Sequence, residues 1–327
     1  FETFGKIVAV IFAIFCIGGS FGGGNAAQSN QATIVLKDLL GLDNAGAGFW
    51  IGVVLAVLVG IIIIGGIKRI ASVTEKVVPF MAVFYLLACL YIIGSNFSLV
   101  DDAIGLIITE AFNPTAIGVG SLIGVLLVGF KRAAFSNEAG AGSASIAHSA
   151  VKTKYSASEG LVALLEPFID TVVICTMTAL VIIIFNFGGE FQYGGDGLGG
   201  VMIDGVSYEG AGITSKAFAQ YIPYSNVFLT IAVVLFAVST MISWSYYGLQ
   251  SWKFLFGRGK AADLAYKVLF LMFVIIGAAA SMGSIWQFSD AMIFAMIFPN
   301  MIGLFFLFPV VKRELKRFLD AIKEAKA

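Results

Sequence analysis

Charged side chains are scarce in this sequence: they make up 12% of its 327 residues, with 20 basic residues balanced by 20 acidic ones. Soluble domains carry roughly 25% charged residues, which they need to cover their surface. The scarcity therefore excludes an ordinary soluble domain. Because the formal net charge is zero, the chain also offers no general attraction for a nucleic acid.

Histidine and cysteine are also rare, with one histidine and three cysteines that lie apart within apolar runs. This content excludes a disulfide scaffold and a clustered metal site, so we interpret Cys16, Cys89 and Cys175 as small packing residues. The common hydrolase, phosphate-binding and metalloprotease motifs do not occur in the sequence. His148 shares one short segment with two serines, and no separate predicted helix presents a base to them. We therefore expect neither an enzyme nor a resident cofactor.

Apolar residues, in contrast, are abundant: hydrophobic side chains account for 59% of the sequence, and the mean hydropathy is +0.96. A helix needs about 20 mostly apolar residues to cross a bilayer. In the runs that meet this length, apolar residues surround the helix instead of forming one stripe, which favours spans within lipid. The sequence therefore predicts an all-α polytopic membrane protein. The eight predicted spans are Phe4–Asn25, Phe49–Ile67, Val77–Gly94, Ile117–Phe135, Gly160–Asn186, Asn226–Leu249, Tyr266–Trp286 and Ala291–Val311.

Basic residues fall mainly on one side of these spans. If the spans alternate in direction, 18 of the 20 lysine and arginine residues face the same side, and only Lys37 and Lys216 face the other. Because cytoplasmic loops are enriched in lysine and arginine, the first span is predicted to run from the cytoplasm to the exterior. The basic amphipathic tail Lys312–Ala327 is then predicted to lie at the cytoplasmic membrane surface. We expect a multi-pass protein of the cell membrane, surrounded by lipid.

Two connecting segments have a predicted structure of their own. Phe187–Tyr224 is long, rich in glycine and acidic, and its turn signals indicate an exterior excursion with a short hairpin. Leu99–Phe112 alternates acidic and apolar residues at helical spacing, which predicts a surface helix. Neither segment indicates a second folded unit, so residues 1–327 are interpreted as one transmembrane domain.

The apolar pattern is broken most strongly in the segment GFKRAAFSNEAGAGSASIAH, residues 129–148. One interpretation is a cytoplasmic loop after the fourth span. The other is a helix that stops and restarts inside the membrane, which leaves free carbonyls at one half and free N–H groups at the other. Irregular backbone at that depth is tolerated only around a cavity or inside the protein, and Lys131 and Arg132 then need partners.

The fifth span carries carboxylates among its apolar residues. Glu166 and Asp170 are four residues apart and so share one helix face, and Asp170 lies about 15 Å into the span. A carboxyl group near the middle of a bilayer marks a functional site. The structural alternative is an ion pair with Lys131 or Arg132 that locks two helices together.

The first span ends in small and polar residues. Gly18 and Gly22 are spaced so that another helix can approach closely. Asn25 and Gln28 are three residues apart and lie on one face. Two compatible interpretations follow for this face: hydrogen bonding between helices, or a polar wall of a substrate cavity.

Hydroxyl side chains cluster in the sixth span. Ser239 and Ser243 share one helix face, and Thr240 and Trp244 share the next. The hydroxyls can bond back to carbonyls of their own helix. Together with the aromatic wall, they can also form a site for a small polar solute or a cation.

Five stretches make the sequence similar to a known family. GGIKRI and VTEKVVPFMA precede FSNEAGAGSASIAH, which is followed by FIDTVVICTMTAL and STMISWSYYG. In their order and spacing, these stretches resemble the alanine or glycine:cation symporter family over nearly the whole chain. FSNEAG…GSA…AH is the most specific of them.

The family in turn resembles amino-acid transporters of the leucine-transporter fold. The resemblance implies an inverted-repeat bundle of ten core helices, with one interrupted helix in each repeat. The eight spans are then core helices three to ten, with the interruption of the second repeat at residues 135–142. The first two core helices, which carry part of the substrate and sodium sites in the family, have no counterpart here. Because the chain begins at Phe1 within an apolar pattern, we expect that an N-terminal part is missing.

The resemblance implies sodium-coupled symport of a small neutral amino acid, alanine or glycine first, by alternating access. Ser239 and Ser243 are expected to bind Na⁺, and Asp170 is expected to support the interrupted helix, with Lys131 and Arg132 inside the bundle. The residues expected to contact the substrate are Gln28, Phe135, Ser136, Asn137, Glu138, Gly140, Thr240 and Trp244. Alternatives are proton coupling through Glu138 or Asp170, and a channel or a non-transporting membrane subunit.

Overall fold

The computed structural model describes residues 2–42, 44, 46–112, 122–193 and 200–326. Apart from one hairpin, the regular structure in these residues is helical, as the composition predicts. The α-helices are α1 (Glu2–Phe21), α2 (Ala27–Leu40), α3 (Ala47–Ile64), α4 (Gly66–Ser95), α5 (Val100–Ala111), α6 (Leu122–Asn137), α7 (Ala144–His148), α8 (Ser156–Ala163), α9 (Leu165–Pro167), α10 (Thr176–Asn186), α11 (Ala211–Tyr221), α12 (Ser225–Phe256), α13 (Lys260–Ala279) and α14 (Met282–Lys326). Two π-helical segments, Gly22–Ala26 and Phe168–Cys175, join α1 to α2 and α9 to α10.

Within the described residues, seven helical stretches are long and apolar enough to cross a membrane. They correspond to all the predicted spans except the fourth. The fourth predicted span, Ile117–Phe135, lies partly outside the described residues, and its described part belongs to α6. The chain is therefore a largely helical, multi-pass membrane protein.

The first predicted span is longer in the structure than the apolar run indicates. Helix α1 continues through the π-helical segment into α2 and ends only where Gly41 adopts a left-handed conformation, at φ 63°. The polar residues beyond Asn25 do not end the helix because their side chains bond within the protein. Asn30 Nδ2 donates to the carbonyls of Gly277 and Ala280, and Thr33 Oγ1 donates to the carbonyl of Ser29.

The prediction of one span from Tyr266 to Trp286 is wrong at its C-terminal end. Helix α13 ends at Ala279, and α14 begins at Met282. The Asn30 amide binds carbonyls at the end of α13, so this end has a polar partner that the apolar pattern does not show. Trp286 consequently belongs to the next helix.

Helix α14 also joins the eighth predicted span to the predicted tail. The helix runs without interruption through Pro299 and Pro309 to Lys326, although each proline removes one backbone hydrogen bond. Residues 312–326 are thus a direct extension of the membrane helix. In the middle of this extension, Phe318 packs on Tyr155 at a ring distance of 5.6 Å.

The predicted hairpin and the predicted helix of the two connecting segments are confirmed, while the exterior location of the first segment stays a prediction. Strands β1 (Gly200–Ile203) and β2 (Val206–Glu209) form an antiparallel hairpin. Its turn, Asp204–Gly205, has positive φ at both residues, as the preferred two-residue hairpin turn requires. Helix α5 occupies the predicted surface helix.

Close contacts between helices occur at glycine positions, where no side chain keeps the two backbones apart. A Cβ on Gly18 would lie 2.5 Å from Met292 Sδ, and one on Gly22 would lie 3.0 Å from Ser289 Oγ, so α1 approaches α14 along the predicted glycine face. Asn25 is fully buried and donates to the Phe270 carbonyl at 2.6 Å. Asn25 therefore serves the contact between helices. Gln28, on the same predicted face, lines the cavity described in the next subsection.

Cysteine burial agrees with the packing interpretation for two of three residues. Cys16 and Cys89 are fully buried, whereas Cys175 is exposed. The Cys175 sulfur lies 4.0 Å from the Ser136 hydroxyl. Cys175 therefore lies near the helix interruption described next.

Candidate functional site

The segment between α6 and α7 is a true helix interruption. Helix α6 ends at Asn137, and the backbone then turns through positive φ values of 55° at Glu138, 80° at Gly140 and 87° at Gly142. Positive φ is uncommon for a residue other than glycine, so Glu138 holds a conformation that its surroundings must stabilise. Helix α6 therefore stops at Asn137 and a short helix, α7, begins at Ala144, while the depth of this break in the membrane stays a prediction.

Side chains from two other helices hold the interruption in place. Asn300 of α14 donates to the Gly140 carbonyl at 2.8 Å, and Ser143 donates to the Glu138 carboxylate at 2.5 Å. Asn137 accepts from the backbone N–H of Ala139 and donates to Thr171 at 3.0 Å. These bonds satisfy part of the backbone and carboxylate groups that the missing helical turn exposes.

A cavity of 430 Å³ opens beside this interruption. Its wall includes charged, hydroxyl and aromatic side chains, and the lining residues come from six helical segments and from the interruption itself. The lining residues are Gly23, Gln28, Arg132, Phe135, Ser136, Glu138, Asp170, Thr240, Trp244, Trp286 and Ile293.

Most of the predicted substrate residues meet at this cavity. Asn137 and Gly140 do not line it, because their polar groups are used within the interruption. Among the residues predicted as supporting charges, Arg132 and Asp170 reach the cavity and Lys131 does not. The predicted substrate residues that line it are Gln28, Phe135, Ser136, Glu138, Thr240 and Trp244.

The charged residues of the cavity pair differently from the predicted ion pair. Asp170 accepts a hydrogen bond from Ser136 at 2.5 Å. The Arg132 guanidinium donates to both carboxylate oxygens of Asp290 in α14, at 2.5 and 2.7 Å. Among the described residues, no ion pair involves Lys131. The predicted bridge from Asp170 to Lys131 or Arg132 is therefore wrong: Arg132 binds Asp290 instead, and Asp170 accepts from Ser136.

Aromatic rings close two sides of the cavity. The Arg132 guanidinium lies 4.8 Å from the Trp286 ring centre, and the Phe135 ring lies 4.9 Å from the same ring. Trp244, from α12, packs directly on the backbone of Gly24, where a Cβ would overlap the indole. A Cβ on Gly23 would likewise lie 2.9 Å from the Phe135 ring. The glycine run thus gives the aromatic wall room to form.

The hydroxyls predicted to bind sodium lie on α12 but outside the cavity lining. Ser239 donates to the Phe236 carbonyl at 2.9 Å, and Ser243 donates to the Ser239 carbonyl at 3.0 Å. Both hydroxyls thus bond back to their own helix. Donation uses the hydroxyl hydrogen and leaves the oxygen lone pairs available as acceptors. Thr240, between them, lines the cavity.

Sequence reasoning missed four residues of this region. Gly23 and Ile293 line the cavity without any polar signal. Trp286 was assigned to the end of the seventh span, and Asp290 lies one residue before the predicted start of the eighth. An acidic residue at the edge of an apolar run was the available signal for Asp290.

A second and larger cavity, of 580 Å³, lies on another side of the interruption. It reaches the interruption through Gly142, Ser145 and Ile146, and apolar faces of α1, α12 and α14 form most of its wall. No charged residue is among the described residues that line it. It therefore offers space for apolar groups and little to hold a charged one.

Comparisons with known proteins agree with this arrangement. The family model described as the sodium:alanine symporter family matches residues 3–327. The sodium/alanine symporter AgcS of Methanococcus maripaludis is 40% identical over 98% of this chain and 67% of its own length. A sodium/proton-dependent alanine carrier protein of Bacillus sp. is 31% identical over 91% of this chain and 67% of its own length.

A more distant relative, the probable sodium/glutamine symporter GlnT of Bacillus subtilis, is 29% identical over 92% of this chain and 59% of its own length. The chain thus spans about two thirds of the length of the curated relatives that it matches. The family is one of symporters and not of enzymes, in agreement with the sequence. The chain belongs to the sodium:alanine symporter family.

Proposed function

We propose that the protein is a sodium-coupled symporter of small neutral amino acids, alanine or glycine first, that works by alternating access. One observation carries this proposal: Glu138, Asp170 and Arg132 meet aromatic side chains in a cavity at a helix interruption. Family membership and the names of the relatives AgcS and the Bacillus carrier support sodium and alanine as the transported pair.

The proposed architecture is a leucine-transporter-type bundle in the cell membrane. The eight spans are core helices three to ten of one transporter domain, with the interruption at mid-membrane and the C-terminal extension in the cytoplasm. Helices ending near a cavity fit this proposal, because irregular backbone within a bilayer needs either protein or a polar cavity around it.

The cavity can hold both charges of an amino acid. The ammonium group is proposed to face the carboxylates of Glu138 and Asp170, and the carboxylate to face Arg132 or the free backbone N–H groups at the restart of the helix. Phe135 and Trp244 then limit the side chain, because their rings fill the space beyond the polar groups. Gln28, Ser136 and Thr240 complete the polar wall, with Asn137 and Gly140 holding the interrupted backbone.

Sodium is proposed to bind at α12, beside the cavity. A hard cation prefers oxygen ligands, and the Ser239 and Ser243 hydroxyls keep lone pairs free after donating to their own helix. Carbonyls freed by the interruption supply further oxygen atoms. Cation binding stabilises the substrate-ready state, and substrate binding then favours closure of the cavity.

The inward movement of positive charge supplies part of the driving force. A membrane potential provides ~2.3 kcal/mol per elementary charge per 100 mV. The sodium gradient adds to this amount. A neutral zwitterion moved together with Na⁺ therefore accumulates against its own gradient.

The test is uptake of labelled alanine by the full-length protein in lipid vesicles. We expect uptake with an inward Na⁺ gradient and none when K⁺ replaces Na⁺. Uptake driven by a pH gradient without Na⁺ indicates proton coupling, and flux far beyond a fixed ion ratio indicates a channel. Absence of both uptake and alanine binding indicates a non-transporting subunit.

A further inference from the structure

A cluster of ionisable groups lies outside the lining of the smaller cavity, at the end of α7. His148, the one histidine of the sequence, contacts a carboxylate with each ring nitrogen. Its Nδ1 lies 2.7 Å from Glu159 Oε1, and its Nε2 lies 3.2 Å from Glu166 Oε1. Within the described residues, no lysine or arginine forms an ion pair with either glutamate.

The hydrogen bonds of this cluster require a bound proton. A neutral imidazole carries one N–H group, so it can donate to one of the two carboxylates and not to both. The observed arrangement is satisfied when the ring is an imidazolium or when one carboxyl group is protonated. In either case the cluster holds one proton more than a neutral histidine between two carboxylates.

The cluster connects the interrupted helix to the next span. His148 is the last residue of α7, whereas Glu159 lies in α8 and Glu166 in α9. His148 lies outside the seven candidate spans, and its side chain is 23% exposed, so water can reach the ring. A change in its protonation therefore acts directly on the contact between α7 and the fifth span.

The nearby basic residues Lys154 and Arg317 lie over the Tyr155 ring at the start of α8, and within the described residues neither forms an ion pair with the cluster. Glu138 of the interruption lies within electrostatic range of both His148 and Glu166, and Tyr247 of α12 faces Glu138 and Glu166. Cys16 of α1 lies within electrostatic range of Tyr247. A negative charge on Glu138 favours the protonated form of the cluster, whereas the neutral Tyr247 and Cys16 do not oppose it. Through Glu138, the cluster is also coupled to the cavity.

The electrostatic balance at His148 agrees with a bound proton. Partial burial of the ring lowers the pKa of His148, but the hydrogen bonds and charges of Glu159 and Glu166 outweigh this effect. The net result is a pKa of His148 above its ordinary value. The stabilisation is fully present below the ordinary pKa of about 6.5 and is lost as the pH rises through the raised value.

We propose that His148, Glu159 and Glu166 form a proton-binding site that ties α7 to the fifth span by two hydrogen bonds when occupied and by one when empty. On the orientation in the proposed function, this site faces the cytoplasm, and the departing proton enters cytoplasmic water. Without the proton, the neutral imidazole donates to one carboxylate only, and the two carboxylates repel each other, so the link of α7 to the fifth span is weaker. Cytoplasmic pH then sets how readily the lower half of the interrupted helix moves.

Proton binding is tested by nuclear magnetic resonance of the full-length protein with labelled imidazole. The His148 signal is the one that disappears in His148→Gln. We expect this signal to give a pKa of His148 above about 6.5, and we expect a lower pKa of His148 in Glu159→Gln and in Glu166→Gln. Glu75→Gln, on α4 and outside the cluster, is the matched control and leaves the titration unchanged. Titration at or below the ordinary value, unaffected by either cluster variant, overturns the proposal.

The link to helix movement is tested by alanine uptake at a fixed Na⁺ gradient with varied internal pH. We expect uptake to rise about twofold to fivefold between internal pH of about 6 and about 8, the ratio that a partly exposed ion pair supplies. Alanine uptake by the His148→Gln protein is expected to be fast and independent of internal pH. A wild-type profile that is flat, or one that His148→Gln retains, overturns this link. The imidazole titration needs no transport, so its result stands apart from that of the proposed function.

Discussion

The two cavities beside the helix interruption differ in size and in chemistry. The smaller, of 430 Å³, is lined by Arg132, Glu138 and Asp170 together with aromatic rings. The larger, of 580 Å³, is lined mainly by apolar faces of α1, α12 and α14. Both lie against the same interrupted backbone, so the surrounding side chains distinguish them.

This difference shows that convergent polar groups identify a binding site better than volume does. A site that orients a small solute needs a few placed hydrogen-bonding groups inside an otherwise apolar wall. The smaller cavity has three charged side chains among its lining residues, whereas the described lining of the larger has none. The polar side chains of the larger cavity are Ser145, Gln250, Ser251 and Asn300, and Asn300 already donates to the Gly140 carbonyl. The larger space is therefore filled best by apolar groups.

The largest expected effect comes from removing charge in the smaller cavity. Glu138→Gln loses a charged hydrogen-bond acceptor for the ammonium group, which is worth ~1.5–3 kcal/mol, or roughly 10- to 100-fold in alanine affinity. Ile302→Ala in the larger cavity is the control, and we expect less than about twofold change. Equilibrium binding of labelled alanine measures both. The reverse order of effects contradicts the assignment of the site.

Filling the space at Gly24, against which Trp244 packs, is expected to have the next largest effect. Gly24→Ala places a methyl group against Trp244 and should lower the free energy of unfolding by ~1–3 kcal/mol while weakening alanine binding. Gly5→Ala lies on the same continuous helix with nothing within 4 Å of the added group, and it lines the larger cavity. Thermal unfolding in detergent compares the two. Equal stability of both variants means that the contact with Trp244 is unimportant.

Selectivity for small side chains provides a third comparison. Trp244→Ala enlarges the smaller cavity and is expected to improve uptake of larger neutral amino acids relative to alanine by about tenfold, since each methylene accommodated is worth ~1–3 kcal/mol. Trp50→Ala removes an indole that is 68% exposed, and it should leave selectivity unchanged. Competition of unlabelled amino acids with alanine uptake measures this ratio. An unaltered ratio in Trp244→Ala removes Trp244 from the substrate wall.

The smallest expected effect concerns the ion pair between Arg132 and Asp290. Because Arg132 is 44% exposed, the pair is worth only ~0.2–1 kcal/mol, so Asp290→Asn should change alanine affinity about fivefold at most. The effect should shrink at high salt, which screens exposed charges. A double-mutant cycle with Arg132→Gln measures the coupling of the two residues. A coupling that is zero at low salt shows that the pair does not shape the cavity.

Local sequence features left a cytoplasmic loop and a helix interruption both open for residues 129–148, and the family resemblance favoured the interruption. The polar run after Phe130 and the glycines at residues 140 and 142 signal a broken helix, because they remove the apolar face and permit positive φ. The convergence of Gln28, Thr240 and Trp244 on this segment came from the family resemblance. Their separation of more than a hundred residues in sequence leaves no local pattern.

Pairing among charged and polar residues was the part that sequence could not determine. Arg132 had Asp170 as a candidate partner on the predicted fifth span, yet it binds Asp290 because α14 lies nearer. Likewise, the side chain that binds the carbonyls at the end of α13 is Asn30, which belongs to a different helix. The apolar run across residues 266–286 contains no sign of this partner and therefore looked continuous. Such choices depend on which helices become neighbours.

Alanine protection of introduced cysteines tests the central assignment most directly. In a Cys175→Ser background, Thr240→Cys places a thiol in the smaller cavity and Phe254→Cys places one in the larger. We predict that alanine slows thiol modification of the Thr240→Cys protein in Na⁺ but not in K⁺, and leaves that of the Phe254→Cys protein unchanged. Protection of the Phe254→Cys protein alone, or protection of the Thr240→Cys protein that is equal in Na⁺ and K⁺, contradicts the account.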